Sequence, residues 1–181
     1  AGPYHFDASL IAGGIFSTSQ RQIIISGGTE TANGDFSGWF ASPEVAVSGD
    51  YDVAPGWVFT PKGVLRYPHG AFAGYSETSS SQNITYGDRS TDALQAALEM
   101  KIANHMQLAG GQAISTSVTA TVLDTYNLGN NDFNASLQGS DFTISSSRAR
   151  NVVGGKLGVR SELKRSPQTT IFAGANAGAD S

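Results

Sequence analysis

The stretch WVFTPKGVLRY, from Trp57 to Tyr67, alternates between apolar and polar positions along its whole length. Successive side chains of a β-strand point to opposite faces, so the pattern predicts a strand with one apolar and one charged face. In a soluble sheet the apolar face packs on a core. In a membrane barrel that face meets lipid and the charged face lines a wet lumen. The stretch alone leaves both arrangements open.

The composition is that of a β-protein with few charges. Of the 181 residues, 14% are charged and 22 are glycine, where an average chain has about a quarter charged residues. The net charge of −4 argues against a nucleic-acid-binding protein, which usually carries a basic patch. The absence of cysteine excludes disulfides and thiolate metal sites. A secreted β-sandwich and an outer-membrane barrel both fit.

The same alternation recurs in six further segments. They are PYHFDASLIAGG (3–14), GWFASPEVAVSGDY (38–51), LQAALEMKIAN (94–104), AISTSVTATVL (113–123), KLGVRSEL (156–163) and TIFAGANAGA (170–179). The segment 94–104 is ambiguous, because it is rich in helix formers and its leucines also fall at helical spacing. We predict a strand there, since its neighbours are strands and its alternation is equally regular.

The connections between these segments alternate between short and long. The short ones are DVAPGW (52–57), NHMQLAGGQ (104–112) and KRSPQ (164–168), and the long ones span 18–35, 69–90 and 124–150. Outer-membrane barrels have short periplasmic turns and long external loops. A soluble sandwich has less reason for this alternation, so the pattern favours a barrel.

Five stretches, in order, resemble the translocator domain of bacterial autotransporters, the type V secretion family. They are FDASLIAGG, TANGDFSGWFASPEVAVSGDY, VFTPKGVLRYPHGAFAGYSE, GGKLGVRSEL and TIFAGANAGA. The resemblance implies an all-β fold, an antiparallel transmembrane β-barrel of twelve strands, of which about seven are visible here. Residues 1–181 then form a single translocator domain that lacks the expected first strands and the closing C-terminal strand.

The resemblance also implies a function and a location. The domain would anchor in the bacterial outer membrane and assist export of an N-terminal passenger, with no catalysis and no cofactor or metal. Its partners would be outer-membrane lipid, its own passenger segment and the barrel-assembly machinery, with no nucleic acid. The alternatives are a porin-like or adhesin-like outer-membrane barrel, or a secreted soluble β-sandwich that serves as a binding module.

In a barrel, the parity of each residue within its strand predicts its environment. The lumen-lining set is Asp7, Glu44, Lys62, Arg66, Glu99, Lys101, Lys156, Arg160 and Glu162. The lipid-facing or girdle set is Tyr4, Phe6, Trp39, Trp57, Phe59, Leu65 and Tyr67. The three histidines, His5, His69 and His105, have no ligand spacing, and the chain carries no nucleophile elbow or phosphate loop, so no enzyme is predicted.

Overall fold

The structure, a computed structural model, describes residues 4–129, 132–145, 150–166 and 168–180. Nearly all of these residues lie in β-strands, and the helical structure among them is one 3-10 turn, Ala109–Gly111. The strands are β1 (Tyr4–Ile25), β2 (Gly28–Gly49), β3 (Tyr51–Ala54), β4 (Trp57–Arg66), β5 (His69–Phe72), β6 (Tyr75–Ser76), β7 (Ile84–Tyr86), β8 (Arg89–Gln107), β9 (Ala113–Leu128), β10 (Phe133–Leu137), β11 (Ser140–Ile144), β12 (Asn151–Ser166) and β13 (Thr169–Asp180).

The main sheet is antiparallel and follows the chain order. β1 pairs with β2, which pairs with β4 and β5, and the sheet continues through β8, β9 and β12 to β13. The described residues of all seven predicted segments lie in strands, apart from Asp50 and Tyr67, and the ambiguous segment 94–104 lies inside strand β8. The all-β antiparallel fold is therefore confirmed. Among the described strands, β1 and β13 are the two ends of the sheet and do not pair with each other, so the barrel is not closed.

The main sheet is called the wall below. Strands β4 and β5 form one strand of this wall, interrupted at Tyr67 and Pro68. Both pair with β2 on one side and β8 on the other, in registers that run on unchanged across the break. Proline has no N–H to donate to a ladder. The carbonyl of Pro68 still accepts from the Ala93 N–H at 3.1 Å, and the Tyr67 N–H donates to Pro43 at 3.0 Å. The interruption therefore leaves the wall continuous.

The smaller sheet, in the order β11-β10-β7-β6, extends the strands of the main sheet, with the pairing of β7 with β10 offset by one residue from that of β8 with β9. Continuing the His69↔Asp92 pairing of β5 with β8 by six residues gives Tyr75↔Tyr86, the pairing of β6 with β7. Continuing the pairing of β9 with β12 likewise gives that of β10 with β11. The smaller sheet is therefore an extension of the wall, and we call it, with residues 16–37 of β1 and β2, the collar.

Two glycines lie where the wall steps into the collar. A Cβ at Gly74 would lie 2.7 Å from the carbonyl oxygen of Tyr86, and one at Gly87 would lie 3.1 Å from that of Asn134. The Gly87 N–H donates to that same Asn134 oxygen at 2.8 Å. The backbones approach too closely for a side chain at Gly74, which explains why glycine is needed there, and a side chain at Gly87 would push the neighbouring backbone away slightly.

The structure consists of a single layer of β-sheet, so it buries few side chains. The buried apolar residues described are Ile23, Ala32, Ala46, Ala103 and Ala135. Large apolar side chains are instead exposed, with Phe6 at 84% and Leu10 at 67%. A sandwich would bury such side chains between two packed sheets about 10 Å apart. The β-sandwich alternative therefore does not describe this chain.

Candidate functional site

One face of the main sheet is apolar across its whole width. The strand registers place a row of apolar or small residues side by side on this face: Phe6, Val47, Gly63, Leu98, Val122, Gly155 and Ala179. A neighbouring row contains Met100, Ala120, Leu157 and Ala177. The seven predicted lipid-facing or girdle residues, Tyr4, Phe6, Trp39, Trp57, Phe59, Leu65 and Tyr67, all have the parity of this face.

The opposite face carries the charges. The nine predicted lumen-lining residues, Asp7, Glu44, Lys62, Arg66, Glu99, Lys101, Lys156, Arg160 and Glu162, all have the parity of this second face. Asp7 lies opposite Ala46, away from the ion pairs Glu44–Arg66 and Arg160–Glu162. The sequence therefore separated two sets of residues that the folded sheet also separates.

Several of the charges on this face are brought together. Arg66 forms an ion pair with Glu44, with Nε donating to Oε2 at 2.7 Å. Lys62 lies directly opposite Glu99 in the pairing of β4 with β8. The strand pairings place Thr121 of β9 between Glu99 and Lys156. The face thus brings side chains of opposite charge next to each other on neighbouring strands.

Arg160 shows a contact that the sequence analysis missed. Its guanidinium lies 5.0 Å from the ring centroid of Phe172, and Nη2 is 3.4 Å from Glu162 Oε2. Phe172 has the parity of the charged face, where the alternation rule expects a polar residue. The sequence indicated this contact only through Phe172 itself, a large aromatic residue two positions before Gly174 in the segment 170–179, which otherwise consists mainly of small residues. A shallow concavity of ≈ 380 Å³ lies beside this pair.

The apolar band has a defined height. In β4 and the residue after it, the apolar parity runs from Trp57 to Tyr67, which is eleven residues, and a tilted transmembrane strand needs about 9–11. The collar-side end of the apolar band shifts by steps from one strand to the next, going from β1 to β9. Strands that cross a membrane at a tilt are expected to show this shift. The last apolar residues before the polar transition are Phe16, Trp39, Tyr67, Leu94 and Val122.

The comparisons with known proteins now bear on this geometry. The family described as the autotransporter beta-domain matches residues 1–176. The chain belongs to the autotransporter beta-domain family. This family is an outer-membrane translocator and anchor domain of bacteria and not a catalytic one. No curated protein matches the chain.

In this autotransporter beta-domain, no helix among the described residues is long and apolar enough to cross a membrane. The strands carry the apolar band instead, and the long connections all lie at the collar end of the sheet. The strand bounds differ from the prediction at the first long connection: residues 18–35 lie mostly in β1 and β2, which are joined by a turn of two residues, Ser26 and Gly27.

The collar of the autotransporter beta-domain contains an aromatic cluster. Tyr75 stacks on Phe36 and on Tyr86, with ring centroids 5.2 and 4.7 Å apart. The guanidinium of Arg89 lies 4.9 Å from Phe72 and 5.5 Å from Phe133. These residues come from six strands, β2, β5, β6, β7, β8 and β10, so the contacts join the collar to the wall below it. The sequence analysis missed this cluster, because the long loops gave no regular alternation.

A buried ion pair joins the collar to β1. Glu77 is 4% exposed, and Arg21 donates to both of its oxygens, at 3.0 Å from Nε and 2.5 Å from Nη2. The Ile84 N–H donates to Glu77 Oε2 at 2.9 Å. The hydrogen bonds from Arg21 hold the pKa of Glu77 below its ordinary value, against the opposing effect of burial. Tyr86 is the other titratable group facing this carboxyl.

A pH dependence follows from the lowered pKa of Glu77. Its stabilising contribution is fully present above the unfolded-state pKa of about 4.3 and is lost as the pH falls through the lower folded-state pKa. We therefore expect the loosening of the collar by Glu77→Gln to be largest at pH 7 and to become smaller as the pH falls below about 4.3. Hydrogen exchange of the amides of residues 75–86, compared between variant and wild type at each pH, measures this difference. A difference that does not change with pH would contradict the assignment.

Proposed function

We propose that this domain anchors in the outer membrane and assists export of an N-terminal passenger. The observation that carries the proposal is the family match over residues 1–176, together with a single-layer sheet that has one apolar and one charged face. A sheet with those two faces can enclose a wet pore inside a membrane. In this proposal the barrel wall keeps the lumen wet and guides the passenger through it.

The charged face is proposed to line the lumen. Its nine residues would surround a passing polar chain, and the pair Glu44–Arg66 keeps the local charge balanced. The seven residues of the apolar face are proposed to meet lipid, with Trp57 and Phe59 near one membrane boundary and Trp39 and Tyr67 near the other. Tryptophan and tyrosine favour these boundaries because one end of each ring is apolar and the other polar.

We propose that residues 1–181 form one domain whose barrel is completed by strands outside this range. The sheet edges at β1 and β13 are unpaired among the described strands. Lipid cannot satisfy open edges, since it offers no hydrogen-bonding groups. The family's twelve strands would supply the missing partners. The barrel-assembly machinery and outer-membrane lipid are the further partners of this proposal.

The proposal is tested on the full-length protein in the outer membrane of bacterial cells. We expect a heat-dependent shift in gel mobility, the sign of a closed barrel, and a passenger that protease added outside intact cells removes. A shift with no such external segment would favour the porin-like or adhesin-like alternative. Release of the protein into the soluble fraction without detergent would overturn membrane anchoring itself.

A further inference from the structure

A polar cluster lies on the apolar face of the sheet. Asp92 of β8 accepts a hydrogen bond on Oδ1 from Tyr67 Oη at 2.6 Å, and His69 Nδ1 lies 2.6 Å from the same oxygen. The ring of Trp39, from β2, packs on the imidazole with centroids 4.8 Å apart. The four residues come from neighbouring strands, so the registers hold the cluster in place.

The cluster lies at the upper end of the apolar band. Tyr67 and Leu94 are the last apolar residues of their strands, and His69 and Asp92 are the first polar residues above them, directly opposite each other. The collar and the long connections begin on the same side. On the proposed orientation, this level is that of the lipid headgroups in the external leaflet.

The cluster has hydrogen-bonding capacity that its internal contacts do not use. Within the described residues, no hydrogen bond is formed by Asp92 Oδ2 or by His69 Nε2. The indole of Trp39 is 52% exposed. A carboxylate oxygen accepts from hydroxyl groups, an imidazole nitrogen accepts or donates, and the electron-rich face of an indole packs against the C–H face of a sugar ring.

We propose that Trp39, Tyr67, His69 and Asp92 bind the sugar headgroup of a glycolipid in the external leaflet. The proposal rests on the proposed function, because it needs the apolar face to meet lipid. The ligand is a sugar rather than a bare phosphate, since the cluster contains no lysine or arginine and its carboxylate repels an anion. It is a lipid because the surface directly below the cluster is apolar and exposed.

The test uses the full-length protein in nanodiscs that contain phospholipids and a glycolipid with a glucosamine disaccharide headgroup. Native mass spectrometry after release from the nanodisc measures the glycolipid that stays bound. We expect Trp39→Ala and Asp92→Asn each to lower retention about tenfold, the effect of losing one hydrogen bond to a charged group or its equivalent. The control is Trp57→Ala, at the opposite end of the same face, which should retain the glycolipid as the wild type does.

Each outcome bears on the proposal. Equal retention by wild type, Trp39→Ala and Asp92→Asn would overturn it, and so would equal loss in Trp57→Ala, which would indicate general lipid packing. Binding of the free disaccharide as strong as that of the glycolipid would overturn the lipid source. Heat-dependent mobility and passenger export are measured on the same variants. Their loss in the wild type would mean that the proposed function fails, whereas normal export with no selective retention means that only the site fails.

Discussion

Ala120→Arg is expected to destabilise the folded, membrane-inserted state by about 2–4 kcal/mol and so to lower the fraction of protein that reaches it. Ala120 lies on the apolar face, between Met100 and Leu157 in the strand pairings, near the middle of the band in β9. An arginine facing lipid at the membrane midplane costs about 2–4 kcal/mol. That is a large share of a typical folding free energy of about 5–15 kcal/mol. The fraction of full-length protein with heat-dependent gel mobility measures the loss.

Thr121→Arg is the matched control for this substitution. It introduces the same side chain one residue away, on the charged face, where Thr121 lies between Glu99 and Lys156. A wet lumen accepts the new charge, and Glu99 offsets the repulsion from Lys156, so the folded fraction should stay near that of the wild type. Equal losses in the two variants would show that the assignment of the faces is wrong.

Gly56→Ala is expected to destabilise the turn between β3 and β4 by about 2–4 kcal/mol, from a left-handed backbone and a steric clash together. Gly56 has a φ of +77°, and a Cβ there would lie 2.7 Å from the carbonyl oxygen of His105. The Gly56 carbonyl accepts from the His105 N–H at 2.7 Å. The turn cannot move away without breaking this hydrogen bond, which ties it to β8. Denaturant unfolding of the full-length barrel in detergent measures the change.

Gly110→Ala separates the two parts of that cost. Gly110 has a φ of +76°, nearly the same as Gly56, but nothing lies within 4 Å of the position of its Cβ. Only the conformational penalty applies, about 1–2 kcal/mol. If both variants lose the same stability, the close approach to His105 does not constrain the turn.

The strands of the wall were predictable because their side chains alternate. Lys62 and Arg66 share a face for a reason visible in the sequence, since the pleat repeats every two residues. The ambiguous segment 94–104 shows how tertiary context decides between two local preferences. Its helix formers are paired along their whole length with β4 and β9, and the sheet hydrogen bonds outweigh a propensity of a few tenths of a kcal/mol per residue.

The collar was only partly predictable. The pairing shifts by one residue at the step, from Asp92↔Leu128 to Tyr86↔Ala135, so the alternation that marks the wall does not carry through to the collar. The ion pair between Arg21 and Glu77 joins residues 56 positions apart, and no local pattern reports such a contact. His69 was not predicted to belong to a site. Its partner Asp92 comes from another strand, and the sequence does not show that the connection between them brings the two residues together.

The length of the β1–β2 hairpin has a practical consequence. Each strand has 22 residues, which at about 3.3 Å per residue makes a ribbon of roughly 70 Å, more than twice the thickness of a hydrocarbon layer of about 30 Å. The tip between the two strands, at Ser26 and Gly27, is therefore far from the bilayer. A short peptide epitope inserted there would be open to antibodies on living cells, and staining it would reveal which way the protein faces without disturbing the pore.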